Sequence, residues 1–388
     1  MKKFLILTFL SLAFASCTYD TMESENQPKY RILAYQPKGE PEEILLSNGA
    51  KIYMDIDSTY YYQDIIFSRE QVEAMMAPVT RSAVIKAKVR YWPNKTIYYK
   101  INSGFSNSNI NTITSALQTI NAYTDIQFIP TNNLPQHHIQ FTVTNGSFSS
   151  PIGMQDNGNT IELGEDMIKG YVLHEIMHSL GFLHEHSRSD RDSWVNIYWD
   201  NIIEGDEIQF YKYTDTGLQG YDVGDFDYNS VMIYGSISFS KNSGYTITRK
   251  NNPSDGYISP FSSNLSSGDQ TGLKFVYGPE KLHLNTEVSY EQINGDDEYY
   301  EYENTVTFLD SNNNPITLNH PRLIVADYTH YVYGDGPGMS TYYTTTEYHV
   351  VPTGASSYNL GFTEYLHEEE GYGIIHRHEE TYYTLYSY

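Results

Sequence analysis

Three histidines and a glutamate lie close together in the middle of the chain, at a spacing typical of a metal site. His174 and His178 are four residues apart, so on a helix both imidazoles leave the same face, one turn apart. Gly181 can end that helix, since glycine accepts left-handed backbone, and a turn there brings back His184 as a third ligand. Three nitrogen ligands with an open fourth position suit catalytic zinc. Glu175 is placed to take a proton from water, so the stretch predicts zinc-assisted hydrolysis of a peptide bond.

The helices and strands that must position these residues can be predicted from the sequence pattern, and they indicate an α+β domain. Apolar residues at helical spacing indicate a helix over 109–124, and the histidine stretch predicts a second one. Alternating apolar residues predict strands at 126–129 and 139–143, and further strands are predicted at 89–101, 148–155 and 160–163. Beyond Trp199 the pattern indicates another helix, to about Tyr213. Strands and helices in this order are typical of the α+β class.

The C-terminal part of the chain, residues 280–388, has a different pattern. Runs such as Thr305–Leu309 and Thr341–Val351 alternate at period two, with Gly, Asn and Pro between them. The 38 tyrosines of the chain also favour β structure, because aromatic side chains suit half-buried sheet surfaces. We predict an all-β, sandwich-like domain here.

Composition limits the possible partners. The formal net charge of −24 argues against a nucleic-acid partner, because no basic patch would offset it. The same charge fits a protein that works in an exposed, salty compartment. The single cysteine means that no intramolecular disulfide forms, so the stability of the fold must come from its core.

The first 16 residues are typical of a secretory signal peptide. The start is basic, and the apolar run Phe4–Ala15 is too short to span a bilayer as a stable helix. Small residues precede Cys17 in an arrangement that resembles the lipobox of bacterial lipoproteins, in which the cysteine becomes the lipidated N-terminus. We therefore predict a bacterial outer-membrane or cell-surface lipoprotein that meets the membrane only through a lipid anchor. The alternative is an ordinary signal peptide with an incidental cysteine.

Residues 17–81 are predicted to be a tether followed by a propeptide. Ser68 and Gln71 form a capping-box pattern at the start of a helical run. A turn-prone stretch follows and contains the basic residue Arg81, where a protease can cut. We place the main domain at 82–279.

Residues 174–192 have the sequence HEIMHSLGFLHEHSRSDRD, which resembles the extended signature of the astacin family of zinc endopeptidases, members of the metzincin clan. A bare HExxH motif is weak evidence because chance matches are common, but the extended string fixes many more positions. Residues 230–234, SVMIY, resemble the family's Met-turn. The resemblance implies a twisted mixed sheet with two main helices around a zinc cleft, and one zinc ion on His174, His178 and His184.

The resemblance also implies roles that spacing alone does not identify. Met232 would form an apolar floor below the metal, and Tyr234 would be a mobile zinc ligand that turns away to hydrogen-bond the oxyanion. An extended substrate would lie along the edge strand near 147–155 by β-augmentation. Ile233 stands where the family usually has a histidine, and that residue is not carried over as a ligand.

Activation is a further implication of the resemblance. After an activating protease cuts behind Arg81, the new N-terminus at Ser82 or Ala83 is expected to be buried and to pair with Glu185. Asp64 lies in a string similar to the family's propeptide site and is a candidate zinc ligand of the zymogen. The alternative is an ordinary surface aspartate in a turn. The same cut would detach the protease from its lipid anchor.

Two classes of function remain to be weighed. The prediction is a secreted zinc endopeptidase that acts on proteins or peptides, and the alternative is an adhesin whose C-terminal domain binds protein or glycan. Loss of the general base or of a ligand would favour the alternative, and neither is lost. The runs His137-His138 and His376-Arg377-His378 are predicted to lie on the surface, and the charged residues of 188–192 are predicted to fix the loop after the third ligand. Some family members prefer an acidic residue after the scissile bond, for which Arg249 and Lys250 are candidate pocket residues.

Overall fold

The structure, a computed structural model, describes most of the chain from residue 35 onward. The described residues are 35, 37–46, 51–62, 64–76, 90–92, 95–145, 148–216, 218, 220–251, 256–259, 262–278, 280–294, 297–319, 321–333, 341–368 and 377–386. The signal peptide, Cys17, Arg81 and Ser82 lie outside these residues, and what was inferred for them stays a prediction.

The N-terminal part of the described chain is a small antiparallel sheet followed by a helix. The strands, each paired with the next, are β1 (Glu42–Leu45), β2 (Lys51–Met54), β3 (Tyr60–Tyr62) and β4 (Ile65–Phe67). Helix α1 (Arg69–Met76) begins at the predicted capping box. There the backbone amide of Gln71 donates to Ser68 Oγ at 3.2 Å, and the backbone amide of Ser68 donates to Gln71 Oε1 at 2.9 Å. Each side chain thus satisfies an amide that the helix start leaves unpaired.

The middle of the chain folds as a mixed sheet with two helices. In chain order the elements are β5 (Thr96–Ile101), α2 (Asn107–Asn121), β6 (Gln127–Pro130), β7 (Ile139–Thr144), β8 (Ser150–Pro151), β9 (Asn159–Gly164) and α3 (Lys169–Ser179). Strands β6, β5, β7 and β9 lie parallel in that order, whereas Ser149 bridges Glu162 of β9 in the antiparallel sense. Strand β8 also pairs in parallel with β4. The predicted α+β catalytic domain, with its mixed sheet and two main helices, is confirmed.

The main core lies between this sheet and the two helices. Helix α2 contributes Ile113, Leu117 and Ile120, and the sheet contributes residues such as Phe141. Every residue of α3 after Lys169 is buried. A helix that is apolar all round belongs in a core, so the two histidines that α3 carries lie inside the protein.

The stretch after α3 is rich in loops. A short antiparallel pair, β10 (Val195–Ile197) with β11 (Ile247–Arg249), precedes helix α4 (Ser267–Tyr277). The helix predicted from Trp199 to Tyr213 is wrong, because the structure has separate 3-10 turns there. Ile202 is extended at ψ 143° and Gly205 has φ +94°, and neither backbone conformation continues a helix. In the part of the chain that the structure describes, no helix has the length and apolar character needed to span a membrane.

The C-terminal region forms one antiparallel sheet of six strands. They are β12 (Lys281–Asn294), β13 (Asp297–Leu309), β14 (Arg322–Tyr333), β15 (Thr341–Val351), β16 (Ser357–Glu368) and β17 (Arg377–Tyr386). Their spatial order is β12-β13-β16-β17-β14-β15. Because these described strands share one sheet, a sandwich of two sheets stays a prediction, as does a domain boundary at residue 280.

Arg322 joins this sheet to the middle domain. Its side chain is fully buried, and Nη1 donates to the carbonyls of Phe275, at 3.0 Å, and Val276 at the end of α4. Nε lies 3.6 Å from the Glu280 carboxylate. Burial lowers the pKa of Arg322 to about 10, and it stays charged at neutral pH. The guanidinium therefore satisfies carbonyls that a helix end leaves without intrahelical partners.

We expect Arg322→Met to lower the free energy of unfolding by about 3 kcal/mol, because it leaves Glu280 and two helix carbonyls buried without their partner. Urea denaturation measures this change. Arg90→Met is the control, since Arg90 makes an exposed ion pair with Asp156, and such pairs contribute about 0.5 kcal/mol. Equal effects of the two substitutions would show that Arg322 does not join the sheet to α4.

Candidate metal centre and active site

The three predicted histidine ligands converge on one buried point. Helix α3 presents His174 and His178 on one face, and the chain then reverses at Gly181, whose φ is +101°. This turn brings His184 back to the same point. The three Nε2 atoms lie 3.1 to 3.2 Å from one another, and all three side chains are buried. The structure thus brings together the three histidines that the sequence spacing singles out.

Asp64 completes the cluster from the N-terminal part of the chain. Its carboxylate oxygens lie 3.1 Å from Nε2 of His174, 3.5 Å from that of His178 and 3.2 Å from that of His184. The Asp64 side chain is fully buried, so its interpretation as a surface residue in a turn is wrong. Among the described residues this is the one group of metal-ligating side chains that could hold an ion.

Two backbone carbonyls fix which nitrogen of each helix histidine faces the centre. His174 Nδ1 donates to the Val231 carbonyl at 2.7 Å, and His178 Nδ1 donates to the Phe182 carbonyl at 2.7 Å. With Nδ1 protonated, each neutral imidazole presents the lone pair of Nε2. Burial lowers the pKa of His178 to about 4, which keeps it neutral. Lone pairs that face a carboxylate at about 3 Å repel one another unless a cation lies among them, so the donor set fits zinc.

Glu175 lies beside the cluster on α3 and is fully buried. Ser150 Oγ of β8 donates to Glu175 Oε2 at 2.7 Å, while Oε1 has no hydrogen-bond partner among the described residues. Burial, and secondly the Asp64 carboxylate, raise the pKa of Glu175, and the Ser150 bond opposes them. The sequence predictions missed Ser150, because no local pattern marks a lone serine in a two-residue strand.

The Met-turn is held against the cluster by Asp269, which the sequence predictions also missed. Asp269 Oδ1 accepts the Ser230 hydroxyl at 2.6 Å, and Oδ2 accepts the Val231 amide at 3.0 Å. Met232 is buried, and its carbonyl accepts the Glu185 amide at 2.8 Å. The carbonyl of Val231 accepts the hydrogen bond from His174 Nδ1. The carboxylate of Asp269 therefore positions a metal ligand through the Met-turn.

This fold and site agree with a known family. A family model described as Astacin, which represents a family of peptidases, matches residues 84–278 of the chain, half of its 388 residues. The chain belongs to the astacin family. The zinc cofactor and the class of the catalytic domain, a zinc metalloendopeptidase, are thereby confirmed.

Individual relatives cover different shares of the chain. Flavastacin of Elizabethkingia meningoseptica is 31% identical over 295 residues, which cover 72% of this chain and 65% of flavastacin. Zinc metalloproteinase nas-15 of Caenorhabditis elegans is 35% identical over 196 residues, covering 50% of this chain and 33% of nas-15. The chain thus spans less than two thirds of either relative. Among solved structures, the hatching enzyme HCE-1 of Oryzias latipes is 30% identical over 48% of this chain and 92% of its own, with a TM-score of 0.42.

Tyr234 of this astacin domain does not join the ligand atoms in the structure. It is buried, and its hydroxyl donates to Gln209 Oε1 at 3.4 Å. Its ring centroid lies 4.1 Å from that of His186 and 4.8 Å from that of His184. Burial raises the pKa of the phenol well above its usual value, so it is a proton donor at neutral pH.

Glu185 lies at a cleft next to the third histidine. It accepts the Asp227 amide at 2.7 Å, and Arg188 Nη1 lies 3.6 Å away. Burial raises the pKa of Glu185 to about 7. The cleft has an empty volume of about 880 Å³ and is lined by Glu185, Arg188, Asp227 and Tyr91 among others.

Other predicted residues lie outside the cluster. Arg188 donates to both carboxylate oxygens of Asp190, at 2.9 and 3.0 Å, within the loop after the third ligand. His138 Nδ1 lies 2.6 Å from the Pro135 carbonyl. The Arg249 guanidinium stacks 4.7 Å from the Tyr228 ring centroid, so its role in a specificity pocket stays a prediction. His376 lies outside the described residues.

We expect Asp269→Ala to reduce zinc affinity about tenfold, because an outer partner of a ligand usually contributes at least that much. The free energy of unfolding should fall by about 2 kcal/mol through the lost cap and the unpaired Val231 amide. Competition with a chromogenic chelator measures the affinity, and Asp156→Ala, at an exposed site, is the control. Unchanged affinity would show that the Met-turn does not depend on Asp269.

Proposed function

We propose that this protein is a secreted, zinc-dependent endopeptidase that is made as a zymogen and uses Glu175 as its general base. The buried cluster of three histidines, beside a glutamate oxygen that has no hydrogen-bond partner among the described residues, is the observation that carries the proposal. Zinc on His174, His178 and His184 would polarise the scissile carbonyl and lower the pKa of a water molecule. The substrate is a protein or peptide.

Glu175 would move the proton. Its pKa is raised by burial, which makes the carboxylate a stronger base than an exposed glutamate for taking up a proton and returning it to the leaving amine. Oε2 is held by Ser150, so the free Oε1 is the atom that would receive the proton.

Tyr234 would stabilise the negative charge that develops on the substrate carbonyl. To do so its hydroxyl would leave Gln209, where it makes a long bond of 3.4 Å, and donate to the oxyanion. A bond of that length is weak, so leaving it costs little.

Residues 35–76, called here the pro segment, would keep the enzyme inactive. Asp64 faces all three histidines, at the place where a substrate carbonyl would have to enter. Strand β4 of the pro segment also lies along β8, the edge strand proposed to bind substrate: the Ser150 amide donates to the Asp64 carbonyl at 3.0 Å. Both contacts would block the site.

An activating protease would cut behind Arg81, and the new amino terminus at Ser82 would pair with Glu185. The cleft beside Glu185 supports this, because the half-buried carboxylate there would gain a charged partner. Export as a lipoprotein through Cys17 completes the proposal. The adhesin alternative is not favoured, because every ligand of the cluster is present.

We expect Glu175→Ala to lower kcat/KM for peptide hydrolysis about 10³-fold, since it removes the general base. A digest of a peptide library by the enzyme, cut behind Arg81 and freed of the pro segment, gives the rate and the cleavage specificity together. Zinc content should not change, and the exposed Glu165→Ala serves as control. Equal cleavage by the Glu175 variant would refute the mechanism.

Asp64→Ala should make the uncut chain partly active: among the described residues it removes the one charged group that the pro segment places at the histidines, while β4 would still lie along β8. We expect hydrolysis by the uncut variant at least about tenfold above that of the uncut parent, in line with the effect of losing a metal-site partner. Asp57→Ala, at an exposed turn, is the control and should stay inactive. If the Asp64 variant is as inactive as the control, Asp64 is not the inhibitory ligand.

A further inference from the structure

The pro segment and the catalytic domain share one apolar core. The pro segment contributes Leu46, Ile52, Tyr62, Ile65, Phe67, Val72 and Met75, and the catalytic domain contributes Ile152, Ile208, Tyr213 and Leu218. All of these side chains are buried. The pro segment therefore does not merely lie on the surface of the domain, because its own apolar side chains pack against those of its neighbour.

Hydrogen bonds fix this core in register. The Ile152 amide donates to the Ile66 carbonyl at 3.1 Å, and Gln71 Nε2 donates to the Ile152 carbonyl at 3.3 Å. The Tyr62 hydroxyl donates to the Ile208 carbonyl. With β8 as its fifth strand, the sheet of the pro segment is completed by the catalytic domain.

The size of the pro segment adds a second constraint. A small sheet needs a packed apolar face to be stable, and the apolar face of residues 35–76 lies against the catalytic domain. The four strands have only three or four residues each, and α1 has eight. Leaving the catalytic domain would thus require the segment to lose its own fold, which makes departure slow.

We propose that the pro segment stays bound after the chain is cut between Met76 and Arg90, and that it then acts as a separate inhibitory subunit. None of the contacts named above involves residues 77–89, so a cut there removes none of them. This inference rests on the proposed zymogen and adds a second step to its activation. Cleavage makes the attachment intermolecular, and a later dissociation or digestion of the segment frees the site.

The proposal also changes where the cut protease is expected to be found, because the cut does not release it from the membrane. With Cys17 lipidated as the sequence predicts, the cut protease stays at the membrane through the bound pro segment. The cut alone then neither activates the enzyme nor releases it.

The test uses the full chain with a site for a sequence-specific protease in place of residues 77–81. After complete cleavage at micromolar concentration, we expect both fragments to co-elute in size-exclusion chromatography and native mass spectrometry. Hydrolysis should stay at the level of the uncut chain and appear only on dilution, because the lost linkage removes the effective concentration of the tether. Fragments that separate at once, or a co-eluting complex that is fully active, would overturn the inference.

A double substitution in the shared core tests whether this core holds the cut fragments together. Val72→Ala with Met75→Ala should raise the dissociation constant of the cut complex at least about 100-fold, through two truncated buried side chains. Glu73→Ala, exposed on the same helix, should leave it unchanged. Equal dissociation constants would refute the role of the core. Co-elution does not depend on catalysis, so a separated catalytic fragment that never hydrolyses peptide counts against the proposed function alone.

Discussion

Three imidazole lone pairs that meet at one buried point are the constraint on which the rest of the structure depends. The Nε2 atoms lie 3.1 to 3.2 Å apart, and burial removes the water that would otherwise solvate them. Such an arrangement is unfavourable without a cation, so metal binding and the local fold are coupled. Any group that orients these rings therefore contributes to both stability and metal affinity.

The groups that orient the rings come from distant parts of the chain. The Trp92 indole donates to the Ser179 carbonyl at 2.7 Å, and the Tyr277 hydroxyl donates to the Leu180 carbonyl at 2.8 Å. These two bonds satisfy carbonyls that the end of α3 leaves free. Asp269, in the first turn of α4, holds the Met-turn by accepting the backbone amide of Val231. The start and the end of the catalytic domain thus converge on the end of one helix.

Sequence reasoning succeeded where the signal is local. The spacing of His174 and His178 and the pair Ser68 and Gln71 each lie within one or two helical turns, so periodicity and capping rules find them. The α+β class follows from the order of such local patterns.

Residues that work across long sequence distances were missed. Ser150 lies inside the predicted strand 148–155, of which the structure keeps two residues, but no strand pattern predicts its bond to Glu175, 25 residues later. Asp269 does lie in a capping-box pattern with Ser266, yet that pattern predicts only the helix start and not the bond to the Met-turn. Arg322 was not singled out at all, because its burial depends on a helix end 46 residues earlier in the chain. Strand order in the C-terminal sheet is non-local in the same way.

The turn between the second and third histidines connects the metal site to both flanking parts of the chain. Phe182 packs against the main core, where its ring lies close to Gly272: a Cβ there would be only 3.1 Å away, a tight contact. Leu183, the next residue, packs instead against the core shared with the pro segment. The Phe182 carbonyl holds His178, and that support remains whether or not the pro segment is bound.

His184 follows Leu183, and its ring lacks the carbonyl partner that fixes the rings of His174 and His178. Its buried Nδ1 has no hydrogen-bond partner among the described residues, and its ring is held by stacking on His186 at 5.0 Å between centroids. Asp64 of the pro segment contacts all three ligand histidines, but only His184 directly follows a residue, Leu183, that packs against the core shared with the pro segment. Of the three ligands, His184 is therefore the one linked most directly along the chain to that shared core.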